Sequence, residues 1–148
     1  MPLTLRPATM EDAGYLYALR TDPETVAMSS DQRAITLEGH CAWLKKRLTI
    51  EHPLWCAIYV AEVDGVPVGT GRLDRAWDAL SLKIDRCLIG YSIERSLRGR
   101  GYGTLLVAAL VREGYTIGYG TVGCRIRRTN TKSLLCAAKA GVTSIDLF

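Results

Sequence analysis

Residues 89–104 read IGYSIERSLRGRGYGT, an apolar run that passes through alternating glycines into a segment with helical spacing. No other stretch constrains the fold as strongly. Glycines at 99, 101 and 103 remove side chains where the backbone turns and leave N–H groups exposed at a helix N-terminus, whose dipole favours negative charge. Arg98 and Arg100 add full positive charges beside them. The arrangement is a cradle for a diphosphate, set against the plainer reading of a structural turn that holds nothing. It is not a Walker A loop, because no Gly-Lys-Ser/Thr follows. The strand before it also comes late, in an antiparallel context, which speaks against a dinucleotide-binding βαβ unit.

The charge distribution points the same way. Lys and Arg number 19 against 15 Asp and Glu, a net charge of +4. Residues 95–139, however, hold nine basic side chains and one acidic, whereas residues 1–94 hold 10 basic and 13 acidic. Such a block in a folded domain implies an anionic partner, unless it is only a solvated face. A nucleic acid is disfavoured, because the arginines sit in a glycine loop and are not interleaved with exposed aromatics. With 148 residues, 48% hydrophobic and 23% charged, the chain suits one globular domain over residues 1–148. It has no run of the roughly 20 apolar residues that a membrane span needs, and its N-terminus lacks an apolar core with a cleavage site. A cytoplasmic protein without a membrane partner is expected. Five cysteines, odd in number and without a CxxC pair, read as small core residues. The two histidines lack ligand spacing, so no metal is expected.

Periodicity and punctuation predict a strand at 3–6, then a helix capped at Thr9 and running through Arg20 until Asp22-Pro23 stops it. Residues 23–35 read as polar and irregular. A second helix starts at Thr36, carries Leu37, Trp43, Leu44 and Leu48, and ends at His52-Pro53. Strands at 55–63 and 66–73 flank Asp64-Gly65, a two-residue hairpin signal. A charged loop over 74–86 leads to a strand at 87–93. A helix follows from Gly101 to Gly114, then a strand at 122–127, a helix capped by Asn130 and closed by Gly141, and a last strand at 142–147. The order is β-α-α-β-β-β-α-β-α-β.

Arg98-x-x-Gly101-x-Gly103 after the IGYSIE strand resembles the acetyl-CoA pyrophosphate loop of the GNAT family of N-acetyltransferases. Downstream, Asn130-x-x-Ser133 and Lys139-Ala140-Gly141-Val142 are similar to that family's second segment, whose Asn and following helix line the pantetheine and adenosine side. Upstream, residues 5–12 and 19–23 are similar to the opening of the branch that acetylates ribosomal proteins and amino nucleotide sugars. The resemblance covers nearly the whole chain. It implies a single α/β domain with a mixed, mostly antiparallel sheet, flanked by helices and splayed between its fourth and fifth strands. It also implies direct acetyl transfer from acetyl-CoA to a primary amine, with rate gained by positioning and by a backbone N–H that polarises the thioester carbonyl.

On this reading main-chain groups of Ile93, Glu94 and Arg95 pair with the pantetheine amides. Arg98, Gly99, Arg100, Gly101, Tyr102, Gly103 and Thr104 hold the diphosphate, and Asn130 and Ser133 complete the cofactor site. A base must take the amine proton. Asp74 and Glu94 are the best-placed carboxylates, with Asp85 behind them. The tyrosine that many relatives use as general acid is Ala137 here, beside Cys136, and none of Tyr91, Tyr102 or Tyr119 is assigned its role. Relatives usually continue with two strands after the last helix. Room for one at most implies a shortened C-terminal edge: a truncated form, a strand supplied by a partner subunit as in a homodimer, or a protein that binds CoA poorly. An amino nucleotide sugar is the favoured acceptor. The alternatives are a protein N-terminus or ribosomal protein, or a catalytically impaired CoA-binding module.

Overall fold

Apolar runs in the first 93 residues build an antiparallel ladder of β1 (Leu3–Pro7), β2 (Cys56–Val63), β3 (Val66–Arg75) and β4 (Arg86–Ile93). β5 (Thr121–Ile126) and β6 (Ser144–Leu147) then join in parallel, so the six strands lie in sequence order in one mixed, open sheet. The computed structural model describes residues 2–49, 56–76 and 86–148. Asp85, most of the expected 74–86 loop, the His52-Pro53 stop and Trp55 lie outside the described residues. Asp64 and Gly65 both have positive φ, 53° and 75°, and set Val63 opposite Val66, as the hairpin signal required.

Helices cover both faces. α1 (Ala13–Thr21), entered through a single 3-10 turn, and α3 (Leu37–Leu48) pack Ala13, Leu16 and Leu44 onto Cys56, Ile58 and Val60. α4 (Tyr102–Ile117) and α5 (Thr131–Lys139) pack Leu106, Leu110 and Ala137 onto the other face with Leu73, Cys87, Ile89 and Val122. Cys56, Cys87 and Cys124 are buried free thiols, and burial pushes the latter two up to about 11, so they serve as core residues. Among the described residues no helix is long and apolar enough to cross a membrane.

Two expectations need correction. Residues 23–35 are not wholly irregular, because α2 (Pro23–Met28) forms directly after α1 and gives three helices between β1 and β2. Asp22-Pro23 stops one helix and starts the next: the Asp22 side chain accepts from the Thr25 amide and Pro23 occupies the first turn. Six residues are too few to show a period. Gly114 is not a helix end either, since α4 runs on to Ile117 and Gly118 caps it at φ 125°. A Cβ at Gly114 would come within 2.6 Å of a Val122 methyl, so this glycine serves the close approach of α4 to the sheet.

His40 of α3 is 5% exposed, and its Nε2 has no hydrogen-bond partner among the described residues. It lies between Tyr17 and Trp43, with ring centroids 5.7 and 5.4 Å away. Burial, helped by the charge of Arg20, holds its pKa below the ordinary 6.5. The folded chain therefore keeps His40 neutral where the unfolded chain takes up a proton. Stability that is complete above pH 6.5 is expected to fall as the pH drops below it, with a slope of at most about 1.4 kcal/mol per pH unit from this one group. Urea midpoints from pH 7.5 to 5 check this, and His40→Leu should flatten that limb. An unchanged slope in the variant would assign the acid sensitivity to other groups.

Candidate active site at the open end of the sheet

The parallel pairing of β4 with β5 stops at Ile89 opposite Cys124, yet β4 runs on to Ile93. Beyond Ile89 the two strands are splayed and no longer pair, and the crevice is the gap this leaves between them. The Glu94 amide donates to the Val68 carbonyl on β3 at 2.9 Å. By the alternation of an antiparallel ladder, the main-chain groups of Tyr91 and Ile93 therefore face away from β3, toward the side β5 has left. One of these is already used, because the Ile93 carbonyl accepts from Arg98 Nε at 3.0 Å.

The glycine loop closes one end of the crevice. Gly99 and Gly101 have φ of 78° and 86°, in the left-handed region, and a Cβ on either would meet open space. Gly101 is the N-cap of the 16-residue α4, and among the described residues no side chain caps this helix. The amides of Tyr102, Gly103 and Thr104 are thus first-turn donors without a side-chain cap, at the positive end of a long helix. Gly103 has a different task. A Cβ there would lie 3.0 Å from Cys136 Sγ and 3.8 Å from the Tyr91 ring, so it lets α4 pack directly on α5 and β4. Arg95 and Arg100 are exposed.

α5 lines the other wall. The Asn130 side-chain oxygen accepts from the Ser133 amide at 3.3 Å and caps the helix. Tyr91 Oη and Ser133 Oγ are 3.0 Å apart, which joins β4 to α5 across the splay. Burial pushes the Tyr91 phenol far above its ordinary range, so it stays protonated. Ala137 is buried at 2% exposure.

The two carboxylates expected to serve as base are far apart. Glu94 follows β4 at the mouth of the crevice, and Tyr15 Oη donates to its Oε2 at 3.3 Å. Burial, and then the Glu94 charge, raise the Tyr15 phenol so that it remains a donor. Asp74 lies opposite Leu88, six residues along β3 from Val68, or about 20 Å at the rise of a strand. It is held by Arg72 at 2.8 Å and Arg47 at 3.3 Å, and Cys56 Sγ lies 3.7 Å away. Arg98 turns toward α2, where it pairs with Asp22 at 3.1 Å and Glu24 at 2.8 Å. Burial tends to raise the Asp22 carboxyl, but the Thr25 amide and Arg98 hold it below the ordinary carboxylate range. Tyr15, Asp22 and Glu24 did not stand out in the sequence, because their partners are 70 to 80 residues away and no local pattern links them.

The sequence that folds in this way matches one family model, the acetyltransferase (GNAT) domain, over residues 2–143. The chain belongs to the GNAT acetyltransferase family. GNAT enzymes use acetyl-CoA, and this chain is an acetyl-CoA-dependent N-acetyltransferase by class. Among solved structures, the GNAT chain is similar to AAC(6')-Ib in complex with ribostamycin and coenzyme A. That match has 25% identity and a TM-score of 0.80, covering 95% of this chain and 82% of that one. The ribosomal L7/L12 α-N-protein acetyltransferase RimL, in complex with coenzyme A, matches at 17% identity with a TM-score of 0.76 and coverages of 95% and 79%. An N-acetyltransferase from Staphylococcus aureus Mu50 matches at 19% and 0.71, with coverages of 95% and 83%. The last two likenesses concern the GNAT fold alone.

Proposed function

We propose that the chain acetylates a primary amine on an amino sugar, with Glu94 as the base and the loop from Gly99 to Thr104 as the seat of the diphosphate. The observation that carries the reading is Glu94, a carboxylate oriented by Tyr15 directly after the end of β4, next to the main-chain groups that face away from β3. The neutral amine attacks the thioester carbonyl carbon and its proton passes to Glu94 directly or through water; the C–S bond then breaks, and the departing CoA thiolate takes its proton from solvent. An amide on the open side of β4, at Tyr91 or Ile93, supports the developing oxyanion. The Ile93 and Arg95 amides, with Asn130 and Ser133, line the pantetheine arm, whereas both main-chain groups of Glu94 are taken, its amide by the Val68 carbonyl and its carbonyl by the Leu97 amide. Open space over Gly99 and Gly101, above uncapped α4 amides, supports the fit of the phosphates.

The amino sugar is favoured by the likeness to AAC(6')-Ib, solved with ribostamycin and, in another structure, with kanamycin. Amino nucleotide sugars are the first acceptors to try, aminoglycosides the second, and a ribosomal-protein N-terminus the third. A thermal melt with and without acetyl-CoA comes before any of these, since a ligand that binds only the native state adds about 2.7 kcal/mol at a hundredfold excess over Kd. An upward Tm shift shared by free CoA is expected, followed by amine-dependent thiol release. No shift at millimolar ligand would overturn the reading. A shift without turnover of any amine would favour a CoA-binding module.

A further inference from the structure

Helix α2 has no fully buried residue and spans only six positions, so neither apolar burial nor its own length can hold it in place. Gln32 Nε2 donates to its Ala27 carbonyl at 3.0 Å, and its other polar contacts come from three different places around the crevice. Thr25 Oγ1 lies 3.2 Å from Ser92 Oγ on β4. Arg127, one residue beyond β5, donates through Nη2 to the Ser29 carbonyl at 2.9 Å. Arg98, in the glycine loop, supplies the rest: Nη1 reaches Glu24 Oε2 at 2.8 Å, and Nη2 lies 3.1 Å from Asp22 Oδ2 and 3.3 Å from Thr25 Oγ1. α2 is therefore strapped across the mouth of the splay, from the β4 side to the β5 side.

All three nitrogens of the Arg98 guanidinium are engaged, Nε with the Ile93 carbonyl and the other two with α2. Its charge faces two carboxylates, and the Asp22 side chain is only 11% exposed. Moving Arg98 onto a phosphate would leave that carboxylate without its counter-charge, with the Thr25 amide and hydroxyl still on Oδ2, a costly exchange when the neighbouring loop amides can take the phosphate instead. We propose that Arg98 is a positioning residue for the amine side, fixing α2 over the crevice mouth and so shaping the acceptor pocket, while the diphosphate rests on the backbone amides of the loop. The inference builds on the proposed function. It assigns the first loop arginine to the acceptor, where the sequence alone assigns it to the cofactor.

Arg98→Gln, Asp22→Asn and Glu24→Gln separate the two roles. With Arg98→Gln, hydrogen exchange of the amides at 24–29 is expected to speed up about tenfold or more, as a polar strap loses its fork. The acetyl-CoA dissociation constant should stay within about threefold, and the amine KM should rise about tenfold or more. Asp22→Asn should reproduce both the exchange and the KM effect, and the double variant should be clearly non-additive. Arg98→Lys retains the charge but reaches one carboxylate at a time, so it should fall between. A tenfold weaker acetyl-CoA affinity in Arg98→Gln, with Asp22→Asn leaving KM unchanged, would make Arg98 a phosphate ligand and overturn the proposal. So would unchanged exchange of α2 in a folded Arg98→Gln protein, a readout that needs no turnover and is independent of the acceptor's identity.

Discussion

Gly101→Asp is expected to abolish the Tm shift given by acetyl-CoA and to weaken its binding about 100-fold or more, while the circular dichroism spectrum stays native. The carboxylate would sit at the N-cap of α4, and its charge would meet the incoming diphosphate over the amides that otherwise stabilise it. Folding should survive, because a Cβ at this position meets open space and the cost is that of holding φ 86° without glycine, about 1–2 kcal/mol. Gly101→Ala carries that backbone cost without the charge and is expected to bind acetyl-CoA far better than the Asp variant. Equal affinity in the two variants would mean that the loop does not face the phosphates. Unchanged affinity in both would refute the cradle.

Glu94→Gln should leave acetyl-CoA binding within a few-fold of wild type and lower kcat by about 10²–10⁴, the usual contribution of a positioned base. Direct binding and steady-state rates, measured on the same preparations, check both halves. Tyr15→Phe removes only the hydrogen bond that orients the carboxylate, so a smaller fall in kcat is expected. Asp74→Asn tests the other carboxylate: with Arg47 and Arg72 both on Asp74, its main effect should be a lower Tm. A kcat loss in Asp74→Asn as large as that in Glu94→Gln would move the base to the far end of the β3–β4 hairpin.

Much of this molecule is local physics, legible from residues close together in the chain. Asp64-Gly65 demanded positive φ and produced the hairpin. Asn130 capped α5, and the glycines at 99 and 101 left a helix N-terminus open. These features depend on residues a few positions apart, so spacing is enough to read them. Tertiary structure decided what depends on long-range contact. It gave the three loop glycines two different tasks, because only the approach of Cys136 explains Gly103. It separated Glu94 from Asp74, which look equivalent as strand-end carboxylates until the register sets them about 20 Å apart. It turned Arg98 away from the solvent side of its loop, since the carboxylates of Asp22 and Glu24 lie more than 70 residues upstream and meet the guanidinium only when α2 is folded across the splay. A guanidinium beside glycines predicts an anion, but the chain order does not say which anion lies nearest in space.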